Sequence, residues 1–180
     1  MNNVNRTFLL GFLLISFLTS CVETKYKEPQ PVGKKSLSHF PKKMQGAYVN
    51  SDGDTFYVKK QFIISKSEGL LKSDKKIMTI GDSLIIKKFD KHLFVNGLND
   101  NNHWSCFFID YSSKNAMHVY TIDPESKSMN QLKKITSVEE FKNDNGKLDY
   151  ILVNPTKSEW RRIFKEEIPE LAFTFRRVSN

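Results

Sequence analysis

From Met44 onward, apolar and polar residues alternate in short runs, each closed by turn residues. An alternation of period two places the apolar side chains of a strand on one face. Gly46-Ala47-Tyr48-Val49 runs into Ser51-Asp52-Gly53-Asp54, whose Asp-Gly pair suits a tight hairpin, and residues 55–60 return. The same pattern predicts strands over residues 61–65, 76–80, 83–89, 92–96, 103–111 and 116–122. Gly81-Asp82, Asp90-Lys91, residues 97–102 and residues 112–115 supply the turns between them. Short strands at this spacing, with no helix between them, indicate an antiparallel meander and not a βαβ sheet. That architecture excludes most nucleotide-binding folds.

The end of the chain changes period. Residues 147–153 read as a strand, after which Asn154-Pro155-Thr156 opens a helix with Thr156 and Glu159 at capping-box spacing. Trp160, Ile163 and Phe164 then share one helical face, while Arg161, Arg162 and Lys165 point elsewhere. Pro169 stops the helix and residues 171–178 form a last strand, so the helix is expected to cover an open end or flank of the β structure. Residues 129–143 stay ambiguous: Met129, Leu132 and Ile135 suit a helix, but Ile135-Thr136-Ser137-Val138 suits a strand. The fold class is therefore mainly β, an antiparallel meander barrel or sandwich with one late C-terminal helix.

The start of the chain carries a different signal. One cation, Arg6, precedes an apolar run from Phe8 to Leu18, followed by Leu18-Thr19-Ser20-Cys21. The run is shorter than the roughly 20 residues needed to span a bilayer and has the plan of a secretory signal peptide. Leu18-Thr19-Ser20-Cys21 resembles the lipobox of bacterial lipoproteins. That resemblance implies a signal peptide over residues 1–20, cut before Cys21, and lipid attachment at Cys21. Two or more acyl chains at ~0.8 kcal/mol per buried CH₂ hold a protein stably on a membrane. Val22 stands where an Asp would resemble the inner-membrane retention signal of such lipoproteins, so the outer membrane is the expected location.

Residues 21–39 comprise the lipidated Cys and a stretch of Lys, Glu, Pro, Gln and Ser with Pro29, Pro31 and Gly33. So little apolar surface cannot offset ordering entropy, and the segment is expected to be a flexible tether with a reach of about 20–25 Å. A single β-rich domain would then occupy residues 40–180. The formal charge of +8 falls to +7 once Arg6 is removed. The cations come as dispersed pairs such as Lys42-Lys43, Lys87-Lys88 and Arg176-Arg177, the pattern of a solvated surface with protected strand ends. With Cys21 consumed by lipid, Cys106 stands alone, and its setting in Trp104-Ser105-Cys106-Phe107-Phe108 argues for burial.

A small meander, a Gly-x-Tyr near its start at Gly46-Ala47-Tyr48 and a late helix resemble the lipocalin-like lipoproteins of bacterial envelopes. The lipocalin entry motif is Gly-x-Trp, so Tyr48 is a departure. The resemblance implies a barrel whose interior holds an apolar ligand. A barrel or sandwich filled by its own side chains is the other outcome, with Phe56, Val58, Phe62, Ile64, Leu84, Ile86, Phe94, Phe108 and Tyr120 as core.

Candidate chemistry adds little. Gly81-Asp82-Ser83-Leu84, Gly97-Leu98-Asn99-Asp100 and Asp100-Asn101-Asn102-His103 match blocks of the SGNH esterases, in which a Ser is activated by His. In that family the blocks lie on separate βα loops spread over a domain. Here they fall within 23 residues and Asp100 would serve two of them. Ser83 also leads into a strand instead of a helix, so no enzyme is expected. Among the histidines, only His103 and His118 would approach Cys106. A hairpin register setting Phe108 against His118 would place His103 on the opposite face, short of the three or four ligands zinc needs. The Asp/Asn-rich loops lack the 12-residue calcium spacing.

No catalytic residue, metal or cofactor is therefore expected. The membrane is the expected partner through Cys21, with an envelope protein, a glycan or a small apolar ligand as further partners and no nucleic acid. The leading reading is a non-enzymatic, lipid-anchored binding or accessory module for a protein or glycan. The alternative is a lipocalin-like carrier of a small apolar ligand. An empty apolar cavity of some hundreds of Å³ would favour the carrier, and a filled core with an exposed aromatic patch would favour the module.

Overall fold

In the computed structural model, residues 22–68, 73–99 and 102–178 are described. Cys21, the signal peptide expected over residues 1–20, and Asp100 lie outside them. Twelve strands form one mixed sheet. They are β1 (Glu23–Tyr26), β2 (Gly46–Val49), β3 (Thr55–Val58), β4 (Phe62–Glu68), β5 (Ser73–Thr79), β6 (Leu84–Phe89), β7 (His92–Leu98), β8 (Trp104–Asp110), β9 (Ala116–Thr121), β10 (Val138–Lys142), β11 (Leu148–Val153) and β12 (Glu170–Arg177). Helix α1 (Met129–Ile135) precedes β10 and helix α2 (Lys157–Lys165) precedes β12. The ambiguous stretch at residues 129–143 thus divides into a helix followed by a strand.

Antiparallel ladders join β2 through β5 in chain order, and a second set joins β6 through β9. β12 bridges the two sets, pairing β9 along most of its length and β2 only at Arg176–Val49 and Arg177–Tyr48. Between β5 and β6 the described residues make a single bridge, Ile80 to Leu84, so the sheet does not close. Arg177 reinforces the short β12–β2 junction. Its Nη1 donates to Gln45 O at 2.9 Å, its Nε donates to Lys114 O at 3.1 Å, and its guanidinium lies 4.8 Å from the Tyr48 ring centre. A Cβ at Gly46 would meet this guanidinium, which would have to shift to make room.

The β6–β9 strands carry packed apolar residues on both faces. On one face, Phe94, Cys106 and Phe108 pack with Tyr26, Trp160 and Ile163. The rings of Phe94 and Phe108 meet Trp160 edge-on at 5.1 and 5.0 Å, the arrangement favoured by aromatic quadrupoles. Helix α2 reaches this face because Thr156 and Glu159 close the expected capping box and Trp160, Ile163 and Phe164 form its apolar stripe. The helix therefore covers a flank. On the other face, Leu93, Val95, Ile109, Met117 and Val119 point toward β2 to β5.

Two expectations require correction. Residues 22–39 are not a tether throughout. β1 pairs in parallel with β11, Tyr26 is buried and Thr24 Oγ1 donates to Ile122 O at 2.8 Å. The next turn is bonded just as firmly. Gln30 N donates to Asn96 Oδ1 at 2.7 Å, Asn96 Nδ2 donates to Gln30 O at 2.9 Å, and Trp160 Nε1 donates to Gln30 Oε1 at 3.0 Å. Lys87 Nζ donates to Pro29 O and Pro31 O at 2.6 and 3.1 Å. These partners lie far along the chain, so local composition did not reveal the compensation for ordering this strap. The hairpin register also differs: Phe108 faces Tyr120, and Asp110 faces His118. Asp110 Oδ1 accepts the Ser112 N–H at 2.9 Å where β8 ends, and each β8 residue faces a partner two positions later than expected.

Candidate functional site: an apolar cavity between the strand sets

The space between β2–β5 and β6–β9 is not filled. A cavity of about 430 Å³ is walled by Phe56, Val58, Ile63 and Met78 on one side. Leu84, Val95, Gly97, Phe107, Ile109, Met117 and Val119 face it from β6 to β9, and Phe173 and Phe175 from β12. Period-two alternation explains this set, since Phe56 and Val58, Val95 and Gly97, Phe107 and Ile109, Met117 and Val119, and Phe173 and Phe175 are each two apart. Met44, in the short 3-10 turn Lys42–Met44, also lines the cavity.

Exposure distinguishes floor from mouth. Met44, Val58 and Leu84 are 1, 2 and 4 % exposed, whereas Phe107 and Phe173 are 37 and 47 % exposed. The polar lining comes from Asn50, Asp52 and Asp54 of the β2–β3 hairpin, of which Asp52 is exposed. Asn50 orders both carboxylates. Its Oδ1 accepts the N–H of Asp52 at 3.0 Å and of Asp54 at 2.8 Å, while its Nδ2 donates to Asp54 Oδ2 at 3.1 Å. Among the described residues, neither carboxylate has a Lys, Arg or His nitrogen within 4.0 Å. A second depression of about 520 Å³ outside β2 and β12 is lined by Val49, Ser51, Thr174 and Arg176 among others, none of them buried. Its walls therefore lack the buried apolar floor of the cavity between the strand sets.

Size and lining match what a small-molecule site requires, a volume within about 300–1,000 Å³, mostly apolar walls and a few localised polar groups. Of the residues expected as core, Val58, Leu84 and Ile86 belong to the second buried cluster and Phe56 packs against it; Phe56, Val58 and Leu84 also line the cavity. Phe94, Phe108 and Tyr120 belong to the core under α2, and Phe62 and Ile64 occupy the face of β4 opposite Ile63. Gly97 was expected in a turn but continues β7, and Phe107 and Phe173 were not singled out as lining. Parity with Ile109 and Phe175 was the available sequence signal for those two.

The remaining candidates are dispersed. Ser83 Oγ accepts the Thr79 N–H at 3.1 Å, and no hydrogen bond joins it to His103 among the described residues. The His103 ring lies 5.7 Å from Tyr150, with Nδ1 buried and without a hydrogen-bond partner among the described residues. His118 Nδ1 lies 3.2 Å from Thr174 Oγ1, and His92 stacks on Phe164 at 3.8 Å. Burial lowers the His92 pKa, assisted by Lys91. Cys106 is buried beside Tyr26, and burial pushes both the thiol and the phenol well above their ordinary values. Among the described residues, no three His, Cys, Asp or Glu side chains gather at metal-ligand spacing. Tyr48 and Trp160 are core. No family model, curated protein or solved structure matches the chain.

Proposed function

We propose that this chain is a lipid-anchored envelope protein that carries or senses a small apolar molecule held between its two strand sets. The cavity bears the weight of this reading: about 430 Å³ of apolar-walled space lies open in a domain whose other core is tightly packed with aromatic rings. It moves the balance from a protein- or glycan-binding module toward the carrier, and it fits the resemblance to lipocalin-like lipoproteins. Burial of an alkyl chain against Val58, Leu84 and Met117 contributes about 25 cal/mol per Å² of apolar surface removed from water. The anchor at Cys21 is a separate part of the proposal and rests on Leu18-Thr19-Ser20-Cys21.

Mass spectrometry of molecules extracted from the natively purified protein, together with titration of a fluorescent apolar probe, tests the carrier. A co-purified amphiphile or saturable binding of one probe per chain is expected. Failure of both would return the reading to a module that binds a protein or glycan through its loops. Mass spectrometry of the amino-terminal peptide tests the anchor separately: a diacylated Cys21 supports it, and an unmodified thiol or a retained residue 1–20 segment overturns it.

A further inference from the structure

We infer that the cavity's occupant is a cationic amphiphile, with its apolar chain inserted toward Met44 and its ammonium head held at Asp52 and Asp54. The inference rests on the cavity being a ligand site and adds the chemistry of the ligand's polar end.

The cavity is chemically divided. Its floor, at Met44, Val58 and Leu84, is buried and apolar, so it accepts a hydrocarbon segment and gives a charged group no partner. Its polar lining is confined to one hairpin, where exposed Asp52 marks the opening. That hairpin presents acceptors. Asn50 uses its carbonyl oxygen on two backbone N–H groups and its amide donates to Asp54 Oδ2 at 3.1 Å and Asp52 Oδ2 at 3.5 Å, while Ser51 Oγ donates to Asp52 Oδ1 at 3.5 Å; the two carboxylates remain the charged acceptors this hairpin offers a ligand head. A carboxylate head would meet two like charges, neither of which has a Lys, Arg or His nitrogen within 4.0 Å among the described residues. An ammonium head would form charge-assisted hydrogen bonds with either acid. Such a preference would run against the long-range field of the protein, whose net charge of +8 favours anions. A measured selection for cations therefore reports the local rim and not the bulk surface.

The test compares dodecylammonium, dodecanol and dodecanoate, each below its micelle concentration, by displacement of a fluorescent apolar probe from the purified protein. Dodecylammonium is expected to bind about tenfold or more tightly than dodecanoate, with dodecanol between them. In the Asp52→Asn/Asp54→Asn double variant the ratio of dodecylammonium to dodecanoate affinity is expected to collapse while dodecanol still displaces the probe, which also shows that the cavity has remained folded. Asp54→Asn alone should remove part of the preference. Equal binding of all three compounds, a preference for dodecanoate, or a cation preference that survives the double substitution would overturn the head-group assignment and leave the cavity as a site. Failure of all three to displace the probe would overturn the ligand-site reading as well.

Discussion

Gly97 offers a direct way to ask whether the cavity is open in solution. It sits in β7 opposite Leu84, two residues from Val95, and faces the empty space. Its backbone is not in the positive-φ region, and a Cβ built there meets no atom within 4 Å. Gly97→Leu therefore adds a side chain to vacant volume. Relief of the strand-glycine penalty contributes roughly 0.5–1 kcal/mol. Burial of most of a Leu contributes about 1.5–3 kcal/mol, offset by roughly 0.5–1 kcal/mol of lost rotamer freedom. A net gain of about 1–2 kcal/mol is expected once incomplete burial near the rim is allowed for. Urea unfolding should show a higher midpoint with an unchanged slope, and apolar-probe affinity should fall at least tenfold. An already closed interior would be overpacked and destabilised, typically by about 1–3 kcal/mol. A lower midpoint would thus refute the open cavity, and a higher midpoint with unaltered probe binding would refute its role as the binding site.

Three other outcomes follow from the structure. Asn96→Ala strips the buried Gln30 N–H and C=O of their partners and is expected to destabilise the fold by about 2–4 kcal/mol, read from the denaturation midpoint; a loss below about 0.5 kcal/mol would show the strap to be unimportant. The His92 pKa lies below its ordinary 6.5 because of burial and then Lys91, so the folded state binds fewer protons than the unfolded one. Stability should decline as pH falls from about 6.5 through the lowered value, a slope that His92→Phe, which retains stacking on Phe164, should abolish in a melting series; identical slopes in both proteins would remove His92 as the cause. Cys106 should resist a thiol reagent in the folded protein and react fully in denaturant, because burial holds its thiol protonated; rapid labelling of the native protein would contradict that burial.

Most strands were legible because they depend on local alternation and turn chemistry. Gly46–Val49 coincides with its expected bounds, and most of the others differ by one to three residues. Helix α2 was legible through its cap and apolar stripe, both encoded within a few adjacent positions. β1 was missed for the opposite reason. Thr24 and Tyr26 do alternate with Glu23 and Lys25, but four residues beside two prolines are too few to outweigh a polar window. Their partners are Ile122 and β11, about a hundred or more positions away. The cavity was legible only in part. Alternation identifies residues that face inward, whereas vacancy depends on how far the strand sets stand apart and on Gly97 contributing no side chain.

The placement of β1 changes what the proposed anchor would do. Val22 is the one residue between Cys21 and a strand whose every position pairs with β11. A lipid on Cys21 would therefore have almost no slack, in place of the roughly 17-residue coil suggested by composition. A coil of that length decouples a domain from its membrane and lets the cavity face any direction. A strand joined to the sheet holds the domain against the bilayer and restricts the directions the cavity mouth can take. The strap reinforces this through Lys87, Asn96 and Trp160, which fix residues 29–31 to the flank of the β6–β9 strands. Anchor, β1 and cavity would then form one mechanical unit, with the orientation of the mouth set by strand pairing.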